Sequence, residues 1–483
     1  MKNTILKNYI YNLTYSVLNI IIPLITIPYV SRVLLSDGVG RVSYAQNVAS
    51  YFVLVASLGI PNYGIKVIAK NSSDREQLSL RFWEIFLINA FSTLMSTVAF
   101  YCLVLCNNLF AEDRSIYIIV GFSVILNFMN VDWFYRGVED FKYITIRNIA
   151  IKTISLACIF LFVHTKDDII VYALIVTSST CVNYVFNIVH LRKYISIIHS
   201  GSLSIKKHIK PILFMFTSAV AIEIYAQTDT TMIGMFSRME NVGYYTNSTK
   251  MERLVVTAIT AIGTVLLPRF SKYYEQHDRI RINNLVSKTV MYLLLISLPC
   301  AVGIFMLSDD IVIVLFGSDF YPAITTLKIL SFVIPILAIG NIYGTQIMIA
   351  SGMERKLTMT VCCGALTNIV INGALIPKFA QNGAAVATVI TELLVMILQI
   401  FLTRTVVTTF IDRDVVLKMI MQCIVMCIVI ILIKMIIVNE LVELIICLPV
   451  GILLYFGTGL LLKNNFVIEL KENISEVLCR KKH

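Results

Sequence analysis

Apolar runs of about twenty residues, separated by short polar clusters, fill this chain almost from end to end. A helix that crosses a bilayer needs about 20 mostly apolar residues. On that rule the pattern predicts about fourteen spans, near 10–31, 43–65, 81–106, 115–136, 144–164, 168–190, 211–236, 244–267, 289–308, 324–350, 357–376, 383–404, 415–437 and 441–462. The longest polar connections, around 191–210 and 271–287, have the length of long loops and no more. The first run follows Lys2 and Lys7, is too long for a signal-peptide core and lacks an A-x-A site, so it reads as an uncleaved first helix.

Composition agrees with this pattern. Of 483 residues, 58% are hydrophobic and 14% are charged, whereas a soluble domain has about 25% charged residues. The fold class expected is therefore an all-α polytopic membrane protein, with no segment left over to house a soluble catalytic domain. The net charge of +11 becomes a question of sidedness. With the N-terminus inside, most of the 40 lysines and arginines fall on the cytoplasmic side, including Lys66, Lys70, Arg192, Lys193, Lys206, Lys207, Arg269 and Arg480. Acidic pairs such as Glu112-Asp113, Asp167-Asp168 and Asp309-Asp310 fall outside. Both termini are thus expected in the cytoplasm. No basic face with interleaved aromatics appears, which argues against a nucleic-acid partner. The eleven cysteines are scattered without C-x-x-C or metal spacing, so they read as small buried hydrophobes, with no metal or cofactor site expected.

Short features recur in order. Val39-Gly40 with Tyr44 corresponds to Val242-Gly243 with Tyr244-Tyr245, and Gly137-Val138-Glu139 to Gly352-Met353-Glu354, each about 200 residues later. Parallel repeats of this kind build two six-helix lobes related by an axis along the membrane normal, with a cavity between them. The expected division is an N-lobe at 1–195, a cytoplasmic linker at 196–210, a C-lobe at 211–410, and two further helices with a basic tail at 411–483.

Charges at bilayer depth are costly and usually mark a pathway or a buried pair. Residues 221–254 concentrate them. One helix carries Glu223 and Asp229 outward, the chain turns at Glu240-Asn241-Val242-Gly243, and a second helix returns with Lys250, Glu252 and Arg253. Glu223 and Asp229 are about 120° apart around their helix, so both cannot face one cavity centrally. Asp229 either pairs structurally with Lys250 or Arg253, or acts as a carboxylate whose protonation couples to transport. In that second case a cation is left for a substrate phosphate. Arg32 and Arg41 bracket the first outer turn, either snorkelling to head groups or forming the first-lobe half of an anion receptor. Glu392 lies near the middle of its span. Glu84 and Asp132 sit near cytoplasmic ends and read as solvated groups, and Asn368 and Asn372 as bonds between helices.

Several segments together resemble a known family. They are Arg32, Gly38, Gly40 and Tyr44 in the first outer turn; Trp133-Phe134-Tyr135-Arg136-Gly137-Val138-Glu139; Asp229 to Gly234 with Val242-Gly243-Tyr244-Tyr245; Gly352-Met353-Glu354; and Ile376-Pro377-Lys378 followed by Gly383-Ala384-Ala385 and Thr391-Glu392. The chain resembles the Wzx-type flippases of lipid-linked oligosaccharides, within the multidrug/oligosaccharidyl-lipid/polysaccharide exporter superfamily. It departs from the usual pattern at Ser36-Asp37, where a Pro-Glu-like pair is common. The resemblance implies a fourteen-helix, two-lobe transporter in the bacterial cytoplasmic (inner) membrane. It also implies the substrate, undecaprenyl-diphosphate-linked oligosaccharide repeat units for O-antigen, capsule or related polysaccharide. Membrane lipids, a polysaccharide polymerase and a chain-length regulator are the partners it suggests. A cationic cavity would receive the head group, with Arg32, Arg41, Lys250 and Arg253 as this chain's candidates. Glu223, Asp229 and Glu392 would serve H+ or Na+ coupling or structural pairing. The alternatives are a peptidoglycan-precursor flippase or multidrug antiporter of the same superfamily, and, from a different class, a membrane polymerase or glycosyltransferase. An enzyme of that last kind would need a long outer loop or an acidic metal motif that the sequence lacks.

Overall fold

The structure, a computed structural model, describes residues 2–196, 203–264, 267–276 and 278–480. These residues form helices and no strand. In chain order the helices are α1 (Lys2–Ser57), α2 (Ile60–Asn71), α3 (Arg75–Cys106), α4 (Arg114–Ile125), α5 (Asp132–Gly137), α6 (Phe141–Phe162), α7 (Ile169–Leu191), α8 (Lys206–Phe236) and α9 (Met239–Thr264). There follow α10 (Leu267–Glu275), α11 (Arg279–Ile311), α12 (Ala323–Ser331), α13 (Val333–Asn341), α14 (Glu354–Thr403), α15 (Arg413–Ile436), α16 (Glu440–Leu461) and α17 (Asn465–Arg480). The chain divides into two units, Met1–Gly243 and Tyr244–His483.

Among the described residues ten helical stretches are long and apolar enough to cross a membrane. Two of them contain a break. At Leu35 (φ 60°, ψ −178°) and Ala380 (φ 47°, ψ −129°) the backbone leaves helical geometry. At Ala380 the chain folds back on itself. A Cβ on Gly383 would lie 2.6 Å from the Leu375 carbonyl oxygen, whereas residues that far apart along a straight helix are separated by about 12 Å. The expected span near 115–136 is shorter, an apolar stretch over Arg114–Met129, because the chain tightens to a 3-10 turn at Leu126–Met129 and restarts as α5. The expected span near 244–267 coincides with α9, which is not among the ten. The turn expected at Glu240–Gly243 lies earlier. Ser237 is extended and Met239 already opens α9, so Glu240 falls in the first helical turn, where an acid suits the helix dipole.

In the first unit the Trp133-Phe134-Tyr135 segment is core. All three side chains are buried in α5 and pack with Phe82, Ile60, Ile68 and Ile212. Gly64 and Gly137 let α2 and α5 approach closely, since a Cβ on either would run into Trp133 or Ile68. Asp74 caps α3, its Oδ1 accepting from the Glu76 and Gln77 amides at 2.9 and 3.2 Å. Ser96 Oγ donates to the Phe52 carbonyl at 2.6 Å across the α1–α3 contact, the small-polar packing that serves where burial against lipid supplies no drive. In the second unit α11 runs through the core, and α15 and α16 pack on it with apolar faces such as Ile424, Ile428 and Leu453 left outward.

Candidate functional site

Asn47 on the second half of α1 joins it to α8. Its Nδ2 donates to the Gln227 carbonyl (3.0 Å) and Oε1 (2.9 Å), and its Oδ1 accepts from Thr231 Oγ1 at 2.7 Å. Tyr51 Oη lies 2.8 Å from the same hydroxyl. Gln227 Nε2 in turn donates to Glu223 Oε1 at 3.0 Å. Residues 223, 227, 231 and 234 follow one another at helical spacing, so Glu223 belongs to the polar face that α8 turns toward α1. Gly234 completes that face, where the Tyr44 ring occupies the place of a Cβ. Asp229 is buried on another face of α8.

Arg41 stands among three carboxylates, Asp37 at 2.7 Å and Glu112 and Asp113 at 2.9 Å each. The guanidinium offered to a substrate in the sequence reading is thus a clasp between α1 and the 107–113 connection. Tyr29 Oη donates to the Val163 carbonyl at 2.7 Å and Gly38 packs on Ile169. The segment 29–41 therefore lies against the connections at one end of the unit. Arg32 is exposed there.

Glu84, expected to be solvated, is fully buried. Its Oε1 accepts from the Ser204 amide (2.8 Å) and Lys207 Nζ (2.7 Å), and its Oε2 from Arg81 Nη1 at 2.9 Å. His208 Nε2 lies 2.7 Å from Oε2, and its Nδ1 lies 2.6 Å from Tyr63 Oη. Only Arg81 is near in sequence; Ser204, Lys207 and His208 come from the start of α8 and the residues before it, more than a hundred positions downstream, which hides the cluster from a sequence pattern. Asp132 is likewise not simply solvated, since it is half-buried and accepts from Arg147 Nη2 (3.0 Å) and Asn187 Nδ2 (2.9 Å).

In the second unit Lys250 is half-buried and Arg253 exposed on α9, and neither makes an ion pair among the described residues of that unit. Between them Glu252 is buried, its Oε1 without a hydrogen-bond partner among the described residues. Glu392 is half-buried on α14. Tyr245 Oη, 2.9 Å from Thr388 Oγ1, ties α9 to α14. Asn368 and Asn372 are buried on one helix and bond to each other at 2.9 Å.

On another side of α9, Met251 and Val255 line an apolar cavity of about 580 Å³ with Pro299 and Gly303 of α11, Met426 of α15 and Gly451 of α16. Next to it in the same helices lies a charged hub that the sequence did not reveal. Lys434 at the end of α15 reaches Asp310 (2.7 Å) and Glu443 (3.1 Å), while Lys328 pairs with Asp309 at 3.0 Å. Asp309 and Asp310, expected in an outer connection, are the last turn of α11. In the sequence Lys434 and Glu443 look like ordinary charges flanking a turn.

A family model described as polysaccharide biosynthesis protein matches residues 5–274, and one described as lipid II flippase MurJ matches residues 145–450. The chain is 22% identical over 415 residues to an Escherichia coli K12 protein named "Putative O-antigen transporter", covering 83% of this chain and 97% of that one. Its fold is similar to that of lipid II flippase MurJ in an inward closed conformation, with a TM-score of 0.78 at 17% identity, over 96% of this chain and 99% of that one. An inward-facing multidrug resistance MATE family transporter of the MOP superfamily follows at TM-score 0.63 and 14% identity, over 80% and 97%.

Proposed function

The chain belongs to the polysaccharide biosynthesis protein family, its relatives include proteins named as a transporter and as flippases, and on that premise we propose that it flips a lipid-linked oligosaccharide across its membrane. The finer reading is that the cargo is an undecaprenyl-diphosphate-linked repeat unit, moved by alternating access from the inner to the outer leaflet of a bacterial cytoplasmic membrane. Polymer assembly then follows outside, in the hands of a separate polymerase and chain-length regulator.

One observation carries the reading. Lys250 and Arg253 are cations on one helix with no ion pair among the described residues of their unit, and that helix turns another side to an apolar cavity. Arg binds phosphate through a planar fork and Lys as a point charge, which suits a diphosphate. The cavity suits a stretch of isoprenoid chain. Arg32 and Arg41 are the first-unit cations of this proposal, and Arg41 enters it only if its carboxylates let go. Glu223, Asp229 and Glu392 are the candidates for H+ or Na+ coupling. The membrane potential alone favours outward movement of negative charge, by about 2.3 kcal/mol per charge per 100 mV.

The match to the MurJ model and fold favours one second cargo, a lipid-linked peptidoglycan precursor, which presents the same diphosphate. Leaflet-resolved measurement of lipid-linked sugars in cells lacking this protein decides. Repeat units held on the cytoplasmic leaflet, released by the wild type and not by a normally inserted Arg253→Ala, support the proposal. Trapped peptidoglycan precursor supports the second cargo, and no change in any lipid-linked sugar overturns both.

A further inference from the structure

A second cavity, of about 210 Å³, lies wholly in the first unit, where α2, α3 and α5 meet. It is at the end of the unit that carries Lys66, Lys70 and Lys207. Asn89 of α3 and Trp133 of α5 line it, at 2% and 3% exposure, with Asn130 and Asp132 beside them and Asn62 and Arg136 at the exposed rim. Two of its polar atoms are buried and have no hydrogen-bond partner among the described residues, Asn89 Oδ1 and Trp133 Nε1. Buried polar groups are nearly always bonded, so this pair points to something that enters.

The chemistry narrows what that is. Trp133 is not a stacking platform, because Phe82 stacks on it at 5.7 Å and Gly64 lies against its ring carbons. It offers the cavity its N–H edge. Asn89 offers an oxygen, or, with the amide turned over, an N–H. Asn62 and Asn130 offer both, Arg136 donates, and the Asp132 carboxylate accepts. An inorganic anion would meet Asp132 and could satisfy no acceptor. Hydroxyl groups both donate and accept. The volume is below the about 300–1,000 Å³ of a drug-sized site, enough for one sugar ring and not for a repeat unit.

We propose that this cavity is a binding site for a single sugar ring, held edge-on by Asn89 and Trp133. It deepens the flippase reading by naming the part of the cargo recognised, and it rests on that reading only for its biological use.

The chain has two tryptophans, so in full-length Trp83→Phe protein, reconstituted in nanodiscs, Trp133 is the sole indole emitter. Glucose, galactose, N-acetylglucosamine and N-acetylgalactosamine are titrated in turn. A saturable change in emission for at least one sugar is expected, weakened about tenfold by adding Asn89→Leu, the loss of roughly one hydrogen bond to a buried group. If Asn89→Leu fails to fold, Asn62→Ala at the rim gives the same readout. No response to any sugar, or a linear response unchanged by the variant, means a hydrated cavity only and overturns the proposal. Flipping that persists without a sugar response removes this site and leaves the transporter reading standing, and a sugar response without flipping does the reverse.

Discussion

Gly40 and Gly243 meet backbone to backbone: a Cβ on Gly40 would lie 3.1 Å from the Gly243 nitrogen, and one on Gly243 3.3 Å from the Gly40 nitrogen. The nearest atoms are closer still, the Met239 carbonyl oxygen for Gly40 and the Ser36 carbonyl oxygen for Gly243. These are the two glycines that the weak internal repeat pairs with one another. Backbone atoms cannot swing aside as a flexible side chain can. Gly40→Ala and Gly243→Ala are each expected to cost about 1–3 kcal/mol through overpacking, read as a lower melting point of purified protein. Gly457→Ala, with no atom within 4 Å of the new Cβ, is the control expected to melt at or above the wild-type temperature.

Removing the Glu84 carboxylate leaves Lys207 and Arg81 without their buried partner and the Ser204 amide without its acceptor. The cations left behind are partly exposed, Lys207 at 39% and Arg81 at 26%, so the cost falls below the about 3–5 kcal/mol of stranding a buried charge. Glu84→Ala is therefore expected to free the 203–208 segment, seen as faster hydrogen exchange there, with Glu84→Gln intermediate because it keeps one acceptor. Unchanged exchange in Glu84→Ala would show that α8 is held at its start by apolar packing alone.

The helices were legible in the sequence because a bilayer-length apolar run is a local signal, and α9 stood out for its charges. What the sequence hid was partnership. Arg41 reads as a bare cation beside a turn, but three carboxylates gather on it, two of them from another connection. Glu84 reads as a helix-end charge, although Lys207 and His208 arrive on it from far along the chain. Leu35 and Ala380 carry helix breaks in backbone conformations usually left to glycine, and no composition rule marks a leucine or an alanine for that. The cavity at Trp133 was hidden for the same reason. Its polar lining comes from α1, α2, α3, α5 and the link before α5, each of which reads by itself as ordinary packing.

Gly303 opens onto the apolar cavity of the second unit, with nothing within 4 Å of a built Cβ. Gly303→Leu should therefore fold and insert normally while filling space that a lipid chain would need. Flipping is expected to fall several-fold at an unchanged melting point, and Gly303→Ala should stay near wild type. Full flipping by the leucine variant would take this cavity out of the transport path.

Glu469 of α17 accepts from Lys288 of α11 at 2.9 Å, and that hydrogen bond, ahead of all other influences, holds its carboxyl below the usual glutamate value. A depressed folded-state pKa contributes stability at pH above the unfolded value of about 4.3, and this is lost as pH falls through the lower folded value. Both side chains are substantially exposed, so the effect is small and screened by salt. A spin label on α17 should gain mobility below about pH 4 or in high salt, and Glu469→Gln should show that mobility at every pH. A label insensitive to both would mean that α17 docks through Phe466 on Tyr292 and needs no charge.

Lys434 of α15 bridges Asp310 of α11 and Glu443 of α16. It is the cation within 4 Å of both Asp310 and Glu443, whose side chains are nearly buried, and Asp309 is 3.9 Å away. Lys434→Met strands two buried carboxylates facing each other's charge, and removing one side of such a cluster costs about 3–5 kcal/mol. The cost is one of uncompensated charge and not of lost packing, because methionine keeps most of the lysine stem's volume. Adding Asp310→Asn and Glu443→Gln to Lys434→Met should then restore most of the stability, and a cycle over the three sites should show strong coupling. If the triple variant melts as low as Lys434→Met alone, the lysine acts through its stem, and the hub is a packing contact that happens to carry charge.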